Sequence, residues 1–129
     1  MKVVVKQDKV AYVQTEDIII YHVQSALDLL ATIYYEYGCN AIIIDKKAIT
    51  EEFFELSTRL AGEIVQKFVN YGMKLAIIGD FSNYSSRALH DYIFECNKGK
   101  DIFFVSNEEE ANQLILNAIN MKHTVILKN

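Results

Sequence analysis

No proline occurs in this 129-residue chain, and only five glycines do. That excludes the Pro- and Gly-rich linkers and low-complexity tails that separate domains or stay unfolded. Cysteine is scarcer still. Cys39 and Cys96 lie far apart and match no metal-ligand or redox spacing. A small secreted scaffold would carry more, so a reduced, cytoplasmic setting is expected. Each thiol reads as a small buried hydrophobe. Uninterrupted apolar runs fall far short of the ~20 residues of a membrane span. The N-terminal MKVVVKQDK reaches Lys6 after three valines, too few for the apolar part of a secretory leader. Net charge is −4, and the basic residues do not cluster. Duplex nucleic acid, which needs a basic stripe, is therefore not expected as a direct partner.

What is present is an ordinary globular balance, 51% hydrophobic and 23% charged. The length fits one domain over residues 1–129, burying roughly 65–70% of its unfolded surface. Val3–Lys6 and Lys9–Gln14 are β-branched runs that read as a hairpin. Ile18–Tyr21 reads either as a short strand or as an apolar loop. Ser25 opens a helix, with Ser25 to Asp28 approximating a capping box. Ala26, Leu27, Leu29, Leu30, Ile33, Tyr34 and Tyr37 give its stripe, and Gly38 its left-handed end. Ala41–Asp45 is a buried strand. Thr50 caps a long helix to about Tyr71, ended by Gly72. Lys74–Asp80 is a strand, followed by a helix to Asn97 that Gly99 closes. Asp101–Val105 is another strand. Ser106 to Glu109 forms a capping box for a last helix to about Asn120, and Thr124–Lys128 reads as one more edge strand. This order predicts an α/β fold. An N-terminal strand pair leads into alternating helices and strands of a mostly parallel mixed sheet.

The stretch EEFFELSTRLAGEIVQKFVNYGMKLAIIGDFSNYSSRALHDYIFECNKGKDIFFVSNEEEA resembles the signature of a bacterial family known as domain of unknown function 4180. ALDLLATIYYEYGCNAIII resembles the same family upstream. The resemblance covers nearly the whole chain. It implies a small bacterial protein and brings no established activity. The order of elements also resembles, more distantly, the STAS fold of anti-sigma-factor antagonists. That likeness implies a STAS-like domain in which a serine after a strand-end aspartate is phosphorylated to control partner binding. Asp45 ends a strand in the corresponding place, but Lys46 and Lys47 follow it. The nearest hydroxyl is Thr50.

Ligands of open α/β sheets gather beyond the carboxyl ends of the parallel strands. Those ends are Asp45, Asp80 and Ser106. On paired strands ~4.8 Å apart, Asp45 and Asp80 would share one edge and suit a Mg²⁺ ion with waters or phosphate. Ser82, Ser85 and Ser86 would add hydroxyls, and Arg87 a phosphate clamp. The same residues also meet a plain structural need. Asp80 suits an Asx turn, Asn83 or Ser85 an N-cap, and Arg87 with Asp91 an i,i+4 pair. The segment therefore reads mainly as helix punctuation. Asp45, Thr50, Asp80, Ser82, Ser85, Ser86 and Arg87 stand as candidate ligand or switch residues. No P-loop, dinucleotide fingerprint or nucleophile-elbow serine occurs, and His22, His90 and His123 have no metal spacing. No catalytic residue and no cofactor is expected.

The helix predicted from Thr50 to Tyr71 spans about 22 residues, ~33 Å. Its apolar arc is about 220° wide, well beyond one buried face. Phe53, Leu56, Leu60, Ile64 and Phe68 face one way, Phe54, Ala61, Val65 and Val69 widen the arc, and Thr58 and Gly62 border it. A neighbouring helix of the same chain covers that surplus, or a second copy does in a two-fold dimer. Phe54, Thr58, Ala61, Gly62, Val65 and Val69 are thus candidate interface residues. Glu55, Arg59, Glu63 and Lys67 form a charged ladder opposite. Ile18, Ile19, Ile20 and Tyr21 are a second candidate surface, for a partner peptide, or else ordinary core. Two function classes follow. One is a non-enzymatic regulatory or protein-interaction module with a protein partner or homodimer. The other is a small Mg- or phosphate-dependent enzyme or binder using Asp45 and Asp80.

Overall fold

The computed structural model describes the backbone of residues 1–128 and the side chains of residues 1–120. β1 (Lys2–Lys6) and β2 (Val10–Gln14) pair antiparallel. β3 (Ala41–Asp45), β4 (Lys74–Ile78) and β5 (Ile102–Val105) add in parallel, in the order β1-β2-β3-β4-β5. The intervening helices are α1 (Val23–Tyr37), α2 (Leu60–Asn70) and α3 (Arg87–Lys98), and α4 (Glu108–Lys128) follows β5.

Strand order equals chain order, and that fixes the layers. Every crossover steps the same way across the sheet, so right-handed crossovers put α1, α2 and α3 on one face. There Ile42, Ile44, Leu75, Ile77 and Phe104 pack with Ile33, Ile64, Phe68 and Leu89. The last helix is free of the crossover constraint. α4 covers the opposite face, joining Ala111, Ile115 and Ala118 to Ala41, Ile43, Ala76, Phe103 and Val105. Central strands buried on both faces must be apolar at every position, as Ala41–Ile44 and Leu75–Ile77 are.

The expected long helix from Thr50 is not formed. Short 3₁₀ turns at Glu51–Phe54 and Leu56–Thr58 precede α2, and Arg59, between the second turn and α2, is left-handed at φ 68°. Phe53 and Phe54 are both fully buried, with ring centroids 5.0 Å apart. One local feature accounts for the break. The Thr58 hydroxyl contacts the Glu52 and Glu55 carbonyls at 2.9 and 2.8 Å, which a continuing helix would use. The remaining α2 has 11 residues, ~16 Å, matched to a strand. Glu55 and Arg59 therefore leave the supposed ladder, and only Glu63 and Lys67 lie on α2.

Four smaller expectations also shift. α1 starts two residues before Ser25, with His22 as its cap. Its Nδ1 accepts from Ser25 N at 3.0 Å, and Ser25 Oγ accepts in return from His22 N at 3.1 Å. Ser86, not Asn83 or Ser85, caps α3, and Asn107, not Ser106, caps α4. Ile20 forms a single parallel bridge to Ile49 and belongs to the core, whereas Ile18 and Tyr21 are exposed. Thr124–Lys128 continues α4 rather than forming a strand. No glycine or proline after Asn107 supplies a stop signal. No helix among the described residues is long and apolar enough to cross a membrane.

Candidate functional site

The carboxyl ends of β3 and β4 carry most of the residues singled out from the sequence. Asp45 ends β3, and its Oδ1 accepts from Lys47 N at 2.9 Å. That bond starts the tight turn Lys46–Ala48. Lys46 then folds over the end of β4. Its stem lies against Gly79, and its Nζ sits 3.3 Å from Glu51 Oε1. The Tyr84 hydroxyl donates to Glu51 Oε2 at 2.9 Å. Phe54 and Tyr84 stack at 5.5 Å, and the Lys46 ammonium lies 5.4 and 5.2 Å from their ring centroids. Lys46, Glu51 and Tyr84 thus bind the β3–α2 connection to the loop between β4 and α3. Tyr84 and then Glu51 hold the lysine charged beyond its usual range, while burial pushes the Tyr84 phenol up.

Asp80 lies two residues beyond the end of β4, whose Ile78 pairs with Asp45. Its Oδ1 accepts from Ser82 Oγ at 2.6 Å and from Ser82 N at 3.0 Å. Those two bonds, with the Lys46 charge adding to them, hold its carboxyl below the ordinary range. The structure does not bring the two aspartates into one groove. Asp45 lines a hollow of 260 Å³ with Tyr12, Thr15, Glu16 and Lys47. Asp80 lines another of 330 Å³ with Phe81, Ser106 and Glu110. Lys46 crosses Gly79, beside Asp80, and brings its own positive charge. Among the described residues no three His, Cys, Asp or Glu side chains converge as a metal group would require.

The hydroxyls have separate situations. Ser82 is engaged with Asp80, and Ser86 Oγ accepts from Leu89 N at 3.1 Å. Ser85 and Arg87 are exposed, and among the described residues Arg87 makes no ion pair with Asp91. Thr50 is half-buried, gives the turn Glu51–Phe54 no side-chain cap, and donates its backbone N–H to Ile20 O at 2.8 Å.

Of the candidate interface residues, Phe54 and Ala61 are consumed by the chain's own core. Thr58 is exposed but its hydroxyl is bonded. Gly62 and Val69 are exposed and Val65 is half-buried. A second surface escaped the sequence reading. Between α1 and the end of α2, Tyr34, Tyr35 and Tyr71 border a groove of 550 Å³ floored by Leu30, Ala31 and Met73. These tyrosines are 50%, 81% and 65% exposed. Tyr34 belongs by spacing to the apolar stripe of α1, yet it is half exposed. The signal was the adjacent pair Tyr34-Tyr35, polar-tipped rings that favour a partly wet site, with Tyr71 standing at the helix end.

A family model described as a domain of unknown function, number 4180, matches residues 5–115. No curated protein and no solved structure matches this chain.

Proposed function

We propose that this chain, which belongs to the family of domain of unknown function 4180, is a non-enzymatic regulatory or protein-interaction module of STAS-like fold that works in the cytoplasm. The carrying observation is the trio Tyr34, Tyr35 and Tyr71, exposed around one groove. Tyrosine presents a large rigid ring and a polar tip, and it is enriched where proteins bind each other. The strand-end groups support the same reading. Asp45 and Asp80 bond to their own turns, and the Lys46 charge is met by Glu51. The STAS-like reading draws on the element order, with a strand pair and then three helix–strand units and a last helix. In that reading Thr50 or the Ser82–Ser86 segment would take the phosphate.

The alternative, a Mg- or phosphate-dependent enzyme or binder, rests on Asp45 and Asp80 standing at the strand ends. Their separate grooves favour it less. The test is capture of cross-linked partners in host extract by the full chain and by its Tyr35→Glu/Tyr71→Glu variant. A polypeptide held by the parent and lost by a variant with unchanged circular dichroism supports the module. Equal capture by both overturns the tyrosine surface. No capture, together with a melting temperature raised by Mg²⁺, turns the reading to the aspartates.

A further inference from the structure

Ala31 is the small residue on the groove side of α1. Leu27 and Asp28 stand one helical turn before it, and Tyr34 and Tyr35 one turn after it. All five line the groove that Tyr71 and Met73 complete from the end of α2. A methyl group among longer neighbours leaves a notch. Side chains of a helix lean toward its N-terminus, which directs Tyr34 and Tyr35 back toward Ala31 and Asp28. The notch therefore has a carboxylate at one end, tyrosine rings at the other and apolar carbon beneath.

Both ends suit a cation. Among the described residues Asp28 has no ion-pair partner. Its Oδ1 accepts from Gln24 Nε2 at 2.9 Å, a neutral bond that steadies the carboxylate and leaves its charge unmet. No Lys, Arg or His lines the groove, and Lys67, one turn before Tyr71, is not in its wall. The Tyr34 and Tyr35 rings meet edge to face, with centroids 4.9 Å apart and planes at 87°. Their faces thus turn in two directions, and a ring face is the negative side of its quadrupole. An apolar helix laid in the groove would cover the Asp28 charge with nothing to meet it. A second copy docked face to face would bring its own Asp28 toward the first.

We propose that the groove takes an arginine side chain of a protein partner, its guanidinium in the Ala31 notch between the Asp28 carboxylate and the tyrosine faces. Arginine fits this pair of walls better than lysine. Its planar fork matches a carboxylate and also stacks on an aromatic ring, whereas an ammonium is a compact, strongly hydrated point charge. The proposal rests on the interaction-module reading and adds the chemistry of the partner, whose docking segment is basic and exposed. One cationic anchor at an exposed site binds weakly, so a short peptide should show a dissociation constant of about 0.1–1 mM.

The probe is acetyl-Gly-Arg-Gly-Arg-Gly amide, titrated into the isotope-labelled full chain and followed by amide chemical shifts. Shifts concentrated in residues 24–35 and 71–73 are expected. Asp28→Asn keeps an acceptor for Gln24 and removes only the charge, and it should weaken binding by roughly fivefold or more. Ala31→Leu fills the notch and should abolish binding with an unchanged circular dichroism spectrum. The lysine peptide should bind at least about threefold more weakly, and the glutamine peptide should not bind. No shifts in the groove, indifference to Asp28→Asn, or equal binding of the glutamine peptide overturns the assignment. So does equal binding of a leucine peptide, which would give the groove to an apolar partner, or self-association that Tyr35→Glu/Tyr71→Glu abolishes, which would give it to a second copy. Failure of the underlying reading looks different. Host-extract capture that is lost with Tyr35→Glu/Tyr71→Glu but kept with Asp28→Asn spares the interaction surface and overturns the arginine. Peptide binding that depends on Asp28, with equal capture by the parent and the tyrosine variant, upholds the arginine notch and overturns the module.

Discussion

The stem of Lys46 fills the space beside Gly79: a methyl group at residue 79 would stand 2.8 Å from the lysine Cγ and closer still to its Cδ. The contact presses the turn after β3 onto the turn after β4. It also carries the ammonium to Glu51 and to the stacked rings of Phe54 and Tyr84. Gly79→Ala should displace Lys46 and cost about 1–3 kcal/mol, the usual range for overpacking. Lys46→Ala vacates the space, so the double variant should lose less than the sum of the two single losses. Urea unfolding of the four proteins measures this. Strict additivity would mean that the two residues do not share that space.

Gly62 is the opposite case. It lies on the exposed side of α2, and a Cβ there would meet nothing within 4 Å. Gly62→Ala should therefore stabilise the protein by about 0.5–1 kcal/mol through helix propensity and a less flexible unfolded chain. The urea midpoint should rise with no change in slope. A fall would show that something in solution approaches this face closely.

Asn97 serves as the missing neighbour of β5. Its Nδ2 donates to Phe104 O at 3.0 Å, and its Oδ1 accepts from Phe104 N at 2.8 Å. Asn97→Ala leaves the N–H and C=O of Phe104 without these partners, at a cost of about 1–3 kcal/mol. The same change bares a second strand edge. Light scattering of the variant should show more association than the parent as concentration rises. A variant as stable and as small as the parent would deny Asn97 both roles.

Stability should decline in alkali. Burial pushes the Cys39 and Cys96 thiols and the Tyr84 and Tyr92 phenols up. Above the unfolded range, about 8.5 for thiols and 10 for phenols, the unfolded chain releases protons that the fold still keeps. The stabilisation is whole below that range and is lost as pH rises through it. Lys46, raised by Tyr84 and Glu51, has the same sign. Urea midpoints from pH 7 to about 11 should fall, and Tyr92→Phe with Cys96→Ala should flatten the slope. Midpoints that hold constant across the range would contradict this.

The sheet was legible because its physics is local. Ala41–Ile44 and Leu75–Ile77 are apolar at every position since helices lie on both faces, and each is a strand-length run that follows soon after a helix-ending glycine. Gly38 and Gly72 mark helix ends, with φ 65° and 69°. The break before α2 was hidden. The spacing of Phe53, Leu56 and Leu60 fits a regular helix as well as it fits successive 3₁₀ turns. The left-handed residue that separates those turns from α2 is Arg59 rather than glycine. His22 was hidden as a cap because Ser25 satisfies the same rule by residue type. Asp45 was placed correctly at a strand end. Its separation from Asp80 depended on β4 stopping at Ile78 and on the path of Lys46, and neither is written in residue spacing. The tyrosine groove needed the α1–α2 packing before Tyr34 and Tyr71 could be seen on one surface.

The most direct test of the central claim, that this domain acts by binding protein, is native mass spectrometry of the chain recovered from its own host. The account predicts the mass of the chain plus a polypeptide, either a second copy or another protein. A chain carrying a retained metal ion or small molecule, and no polypeptide, would contradict it.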